Sequence, residues 1–312
     1  MLVKRLKRQD INGTQWDLFI ENSVQNVLYA KSWFLDAIPQ KWEAFVAYEN
    51  GVVIGVLPFQ LKQKYGLKKI QLDPYVHELG IFHLPDRQDC ITALLEQFKK
   101  SIFISDYRFN IHNDFEGIDV GNSNNFTYTI DLNQDIHLIR KSYSNNIKRN
   151  IKMAKDRRVL VSSVNDIELL LDIFRKYVAH KITGLEEYQF DILRDLYKVL
   201  CLKKQCEIYM AYVDNKPVSG SLIIKDNRRI IYFMAASNKE GKLSNSQSLV
   251  IDTILEKYAD SNLIFDFEGE ATDGLKRYYA SFGSSRRKIP TYRKMLGEKW
   301  YQKVYKIKAL TS

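Results

Sequence analysis

Four carboxylates, Asp266, Glu268, Glu270 and Asp273, crowd around Gly269 in the stretch LIFDFEGEATDGLKRYYASFGS (263–284), after an apolar run and ahead of paired tyrosines. Alternation places Leu263, Phe265 and Phe267 on one face of a strand and Ile264, Asp266 and Glu268 on the other. Like charges on one face repel, so either one carboxyl pKa rises or a cation sits opposite. Both situations recur where protons are transferred. Downstream, Leu275, Tyr278, Tyr279 and Phe282 recur at i, i+3, i+4, i+7, the spacing of an apolar helix face, and Gly283 stands where a helix stops. Aromatics at this spacing also make ordinary core, so packing and proton transfer are both open at this point.

The elements that must position these residues follow from periodicity. In the first half, GTQWDLFIENS reads as a helix, WEAFVAYENGVVIGVLPFQLKQ as a hairpin turning at Glu49-Asn50-Gly51, 86–100 as an amphipathic helix, and 102–112 and 126–132 as strands. A boundary near 131–135 precedes a long basic helix over 136–156, with Ile136, Ile139, Tyr143, Ile147, Ile151 and Ala154 as its apolar stripe. The second half repeats the theme: a strand near 158–164, helices near 165–181 and 187–201, the hairpin CEIYMAYVDNKPVSGSLII, a strand near 230–236 and a helix near 245–259. FVAYENGVVIGVLPF (45–59) and YMAYVDNKPVSGSLII (209–224) share Ala-Tyr, a polar turn and a glycine-bearing apolar strand, a faint internal duplication. A chain of 312 residues exceeds the usual single core. The expectation is two similar units, 1–134 and 135–312, with the basic helix packed between them.

Hydrophobic content of 45% with 27% charged residues excludes wholesale disorder. No apolar run approaches the ~20 residues of a membrane helix, and the basic N-terminus lacks the apolar core of a secretory signal. The reading is a cytoplasmic protein. Cys90, Cys201 and Cys206 have no histidine at ligand spacing, and His77, His83, His112, His137 and His180 are scattered, so no metal is expected and the cysteines read as reduced thiols. The net charge of +10 is concentrated. Residues 140–158 hold eight basic residues against Asp156, and 286–308 hold nine against Glu298. This predicts that the two segments flank one basic cleft and meet a phosphate-bearing partner; plain solvation of two exposed faces is the alternative.

With its order of hairpin, strand, helix start, strand and aromatic helix, the second half resembles the GNAT N-acyltransferases, and GLKRYYASFG resembles their fourth-helix pattern, with Tyr279 four residues before Gly283. Together with SYSNNIKRNIKMAKDRRVLV (142–161), the whole chain resembles the FemABX-like branch. That implies an α/β fold of two tandem GNAT-like domains, each a central mixed β-sheet flanked by helices. It also implies acyl transfer to an amine-bearing small molecule or peptide, with acyl-CoA or acetyl-CoA as donor. In such enzymes a glycine-containing loop cradles the pyrophosphate at a helix start. The matching stretch SNKEGKLSNSQS (237–248) has the single glycine Gly241, with Lys242, Ser244, Asn245 and Ser246 as further anion-binding candidates, or Ser244 or Asn245 as a plain helix cap. Members that use aminoacyl-tRNA carry a lysine four before the glycine, where this chain has Tyr279. The implied roles are Glu268 or Glu270 as general base, Tyr279 as acid with Tyr278 as its rival, Asp266 as a charge partner of Arg149 or Arg277, and Asn146, Arg149, Lys152, Lys276 and Arg277 for substrate or phosphate. Three readings stay open: a thioester-dependent N-acyltransferase, a transferase using aminoacyl-tRNA on a peptidoglycan precursor or other peptide amine, with tRNA or a nucleotide-linked precursor as partner, and a non-catalytic polyanion binder.

Overall fold

Polar turns at Asn50-Gly51 and Asp214-Asn215 fold the two alternating segments into hairpins. The backbone is left-handed at all four residues (φ 50°, 82°, 48° and 60°), the conformation in which a two-residue turn matches strand twist. The computed structural model describes residues 1–64, 67–101, 104–115, 120, 125–182, 185–269 and 272–294. Glu270 and the lysines from Lys299 onward lie outside the described residues. The chain divides into two units, Met1–Asn124 with the segment from Ile289, and Asn125–Lys288.

In the first unit, the chain runs through β1 (Leu2–Lys7), α1 (Gly13–Asn22), α2 (Ser32–Asp36), β2 (Trp42–Glu49), β3 (Val52–Lys64), β4 (Leu67–Ile70), β5 (Phe82–His83), α3 (Cys90–Lys99) and β6 (Ile104–Arg108). The strands form a mixed sheet in the order β1-β2-β3-β4-β6, with β5 against β3 and a parallel step between β4 and β6. Helix α3 is amphipathic, and its Cys90, Ile91, Leu94, Leu95 and Phe98 are buried.

The second unit contains β7 (Phe126–Asp131), α4 (Ile136–Ser142), α5 (Asn145–Asp156), β8 (Leu160–Val164), α6 (Glu168–Tyr177), α7 (Glu187–Leu202), β9 (Cys206–Val213), β10 (Lys216–Lys225), β11 (Arg229–Ser237), α8 (Lys239–Leu243), α9 (Ser246–Tyr258), β12 (Ile264–Asp266), α10 (Asp273–Ala280) and β13 (Ser285–Lys288). Its seven strands are ordered β13-β7-β12-β11-β10-β9-β8, with β11 and β12 parallel. A last strand, β14 (Thr291–Lys294), returns to pair antiparallel with β6 of the first unit.

Three expectations are corrected. The division falls at 124/125 and not at 134/135, because β7 is inserted between β12 and β13 and so belongs to the second sheet. The basic helix is two helices: Tyr143 is extended (φ −60°, ψ 140°) and the Ser144 hydroxyl accepts from the Ile147 N–H, starting α5 afresh. Its apolar stripe enters the core of the second unit, where Ile139, Tyr143, Ile147, Ile151 and Ala154 join the buried cluster around α9. The 286–294 part of the second basic segment is divided between the units, Arg286, Arg287 and Lys288 on β13 and Arg293 and Lys294 on β14.

A charged network ties the second sheet to α9. Glu207 on β9 accepts from Lys225 (2.9 Å), Lys257 (2.7 Å), Tyr209 (2.6 Å) and Tyr258 (2.9 Å). Burial raises its carboxyl pKa, but these four donors outweigh burial and hold it at about 2, below the ordinary 4.5. A carboxylate whose pKa is depressed by folding contributes stability that is present above its unfolded pKa and lost as pH falls through the folded one. Glu207→Gln is therefore expected to lower the denaturant midpoint near neutrality, with the difference from wild type shrinking as pH is taken from 4.5 toward 2. A gap that stays constant over that range would contradict the network's role.

Candidate active site

Strand β12 is short because its chain changes neighbours. The parallel ladder runs only over Arg229–Ile231 against Ile264–Asp266. Past it the chain stays with β7, through the Phe267 N–H to the Tyr128 carbonyl (2.9 Å), while β11 continues to Ser237. The two parallel strands therefore part beyond their paired ends, the position where open α/β sheets take their ligands. At this point β11 also bulges: Leu222 pairs with Met234 and Ile224 with Ile231, so Tyr232 and Phe233 share one partner residue, Ile223.

Asp266 fixes the loop at the mouth of this opening. Buried, it accepts from the Thr127 hydroxyl (2.5 Å), the Arg229 Nη1 (3.1 Å) and the Glu268 N–H (2.9 Å), and Thr127 Oγ1 accepts in turn from the Gly269 N–H (3.0 Å). Its charge partner is thus Arg229, not Arg149 or Arg277. The parallel register brings β11 and β12 side by side, whereas Arg149 and Arg277 are exposed on α5 and α10. Glu268 follows with left-handed backbone (φ 57°) and Gly269 likewise (φ 99°). For a residue with a side chain this conformation costs about 1–2 kcal/mol, offset here by the bonds to Asp266 and Thr127. The strand alternation ends at Asp266, and the side chain of Glu268 is aimed by this turn.

Both carboxylate oxygens of Glu268 are shut off from solvent, and burial pushes its pKa well above the usual carboxylate range. Tyr279 is buried beside it: burial first, then the negative charge on Glu268, raise its phenol to about 12. Its ring stacks on Phe267 with centroids 4.4 Å apart and planes at 21°. The hydroxyls of Tyr279 and Tyr278 have different surroundings. The Tyr278 hydroxyl is engaged with Ser248 Oγ on α9 (3.1 Å), and the Tyr232 hydroxyl accepts from Gln247 Nε2 (2.5 Å), which also donates to Ser221 (2.6 Å). Among the described residues, the Tyr279 hydroxyl has no hydrogen-bond partner. Sequence reading passed over Tyr232, Ser221, Gln247 and Ser248. The last two lie inside the stretch singled out for anion binding, on the first turn of α9.

Within that stretch, Gly241, Ser244 and Ser246 are used for packing. A Cβ on Gly241 would lie 2.3 Å from the Val218 carbonyl oxygen, so the glycine lets α8 approach β10. Ser244 and Ser246 are fully buried. Ser244 donates to the Glu240 carbonyl (2.8 Å), and Ser246 donates to the Gly241 carbonyl (3.0 Å) with its oxygen 2.7 Å from Ser219 Oγ. Asn245 is the N-cap of α9, in left-handed conformation (φ 54°) and without a side-chain cap bond. Lys242 is exposed. Of the phosphate candidates, Asn146 accepts from Arg149 Nη2 (2.8 Å), Lys152 pairs with Asp156 (3.7 Å) and Lys276 with Asp273 (3.2 Å). Asn146, Arg149, Lys152 and Arg277 are exposed. Leu275, expected on the buried face of α10, is 37% exposed, because the helix packs through Tyr279 and the residues that follow it. Among the described residues no cluster of three or more His, Cys, Asp or Glu is placed to hold a metal ion, and no helix is long and apolar enough to cross a membrane.

Residues 140–278 match the family described as acetyltransferase (GNAT) domain. The match falls within the second unit, and the chain as a whole shares the fold of tandem GNAT proteins. In structure it is similar to FemX (TM-score 0.67, 12% identity, 97% of this chain and 99% of that one) and to a tandem GNAT protein from the clavulanic acid biosynthesis pathway (0.54, 11%, 95% and 100%). It is also similar to the C-terminal domain of a putative lysylphosphatidylglycerol synthetase from Agrobacterium fabrum (0.53, 10%, 96% and 94%). At these identities the likeness is one of fold. No curated protein sequence matches the chain.

Proposed function

We infer that the second unit transfers an acyl group from a thioester of the coenzyme A type to the amine of a small molecule or peptide. The observation that carries this reading is the pairing of Glu268, shut off from water with its pKa raised, and Tyr279, whose hydroxyl is unengaged among the described residues, at the point where β11 and β12 part. Their environments suit opposite tasks. Glu268, its carboxyl pKa raised by burial, takes in its deprotonated form the proton from the attacking nitrogen as the C–N bond forms. Tyr279 stays protonated below about 12 and delivers its proton to the departing sulfur as the C–S bond breaks. The products are an amide and a free thiol. Past Ile231 the strand β11 is no longer paired with β12, and a donor arm that itself contains amides would lie along it there. With Gly241, Ser244 and Ser246 committed to packing, Lys242, Asn245 and the first N–H groups of α9 are left to meet the phosphates.

That commitment is also the observation favouring a second reading, in which the donor is an aminoacyl ester of tRNA, the leaving atom is a ribose oxygen, and the acceptor is a peptide amine of the peptidoglycan-precursor class. The exposed Lys148, Arg149, Lys152 and Lys155 of α5 would then track a phosphate backbone. The test presents purified protein with acetyl-CoA and, separately, with charged tRNA, each against a panel of primary amines. Saturable acetyl-CoA binding with amine-dependent release of free thiol is expected. Transfer from charged tRNA with no binding of acetyl-CoA would overturn the thioester donor and leave acyl transfer in place.

A further inference from the structure

Two of the three cysteines meet at a helix end far along the chain from the acids and tyrosines above. Cys201 lies in the last turn of α7 and Cys206 opens β9, and their sulfurs are 3.5 Å apart. Cys201 is exposed, Cys206 half-buried, and Cys90 buried in the first unit. The four residues between the pair form a rigid connector. The Lys204 N–H bonds the Cys201 carbonyl (2.9 Å), the Gln205 N–H bonds the Leu200 carbonyl (2.9 Å), and Lys204 takes the left-handed conformation (φ 56°). This is a Schellman cap. Cys206 is held from its other side by pairing with Ile224 on β10. Both cysteines are therefore anchored by main-chain bonds, with their sulfurs 3.5 Å apart against the ~2.05 Å of a disulfide.

We propose that Cys201 and Cys206 form a reversible dithiol–disulfide site on this acyltransferase. With a peroxide as oxidant, the exposed Cys201 sulfur attacks the O–O bond, and the peroxide is reduced to water as Cys201 becomes a sulfenic acid. The Cys206 sulfur then attacks the Cys201 sulfur, forming the S–S bond and expelling the hydroxyl as a second water. Two thiols lose two electrons in all, and a dithiol reductant reverses the reaction. The division of labour follows from the surroundings. Cys201 is exposed and so meets the oxidant first, while Cys206 is half-buried, with burial and then the neighbouring Cys201 pushing its thiol up, so that Cys206 serves as the resolving partner. The bond would staple the end of α7 to the strand that carries Glu207.

The full chain, treated with a small excess of hydrogen peroxide and read by intact mass and peptide mapping, tests this. The expected result is loss of two hydrogen atoms, one peptide pair linked through Cys201 and Cys206, and full reversal by dithiothreitol. Cys90, with its thiol pushed up to about 12 by burial, stays unmodified and serves as the internal control. In Cys206→Ser, Cys201 should stop at a sulfenic acid that a 1,3-dione traps; in Cys201→Ser, Cys206 should not react. Addition of oxygen at Cys201 without linkage in the wild type, or linkage only between two copies of the chain, would overturn the proposal.

Discussion

Replacing Glu268 by glutamine is expected to lower turnover by about 10²- to 10⁴-fold, the range over which a positioned general base acts. The substitution keeps the shape of the side chain and its left-handed backbone but removes the proton acceptor. It also removes a carboxyl whose oxygens are shut off from water, so stability should hold or rise. Catalysis and architecture thus predict opposite patterns: lost turnover in a stable protein in the first case, unchanged turnover in the second. The pH profile sharpens the distinction. A base works deprotonated, so wild-type kcat/KM should climb as pH rises through the raised pKa of Glu268, and the variant should lack that limb. Tyr279, protonated up to about 12, adds no descending limb in the working range.

The largest effect on stability is expected at Arg229. Its side chain is 2% exposed and lies between two buried acids, with Nη1 3.1 Å from Asp266 Oδ2 and Nε 3.5 Å from Asp226 Oδ2. Arg229→Met would leave both carboxylates buried without their cation, a change that costs about 3–5 kcal/mol in comparable sites. Denaturant unfolding measures it directly, and adding Asp266→Asn should recover part of the loss because one of the two stranded charges disappears. Since Asp266 also holds the Glu268 N–H, the single variant should lose activity even where it remains folded. A loss under about 1 kcal/mol would show that Arg229 does not organise this loop.

Local chemistry made most of the second unit legible in the sequence. The turn residues Asp214-Asn215, the alternation of β9 and β10 and the aromatic spacing of α10 each describe a few neighbouring residues. What escaped depends on partners remote in sequence. Strand β13 is exposed at all four residues and β1 is polar along much of its length, so neither carries an alternating signal; both exist because an edge offered a ladder. The Arg229–Asp266 pair rests on a parallel register between strands separated by two helices, α8 and α9, which spacing cannot reveal. Gly241 was read as a site for phosphate approach, yet it serves the packing of α8 on β10, because sequence shows that a side chain is missing without showing what fills its place. Tyr279 was preferred to Tyr278 only by its spacing from Gly283; their hydroxyl surroundings differ for a reason that spacing does not carry, the Ser248 hydroxyl that meets Tyr278.

The central claim is that Tyr279 gives up a proton during acyl transfer. It is tested most directly by the turnover of Tyr279→Phe under saturating donor, in whichever donor assay supports wild-type activity. The ring stacked on Phe267 remains and no hydrogen bond among the described residues is lost, so the change in stability should be about 1 kcal/mol or less. Donor affinity should be nearly unchanged and kcat should fall by at least about tenfold, because the lost interaction belongs to the transition state. Wild-type kcat in a folded Tyr279→Phe protein would contradict the account and leave the tyrosine as core.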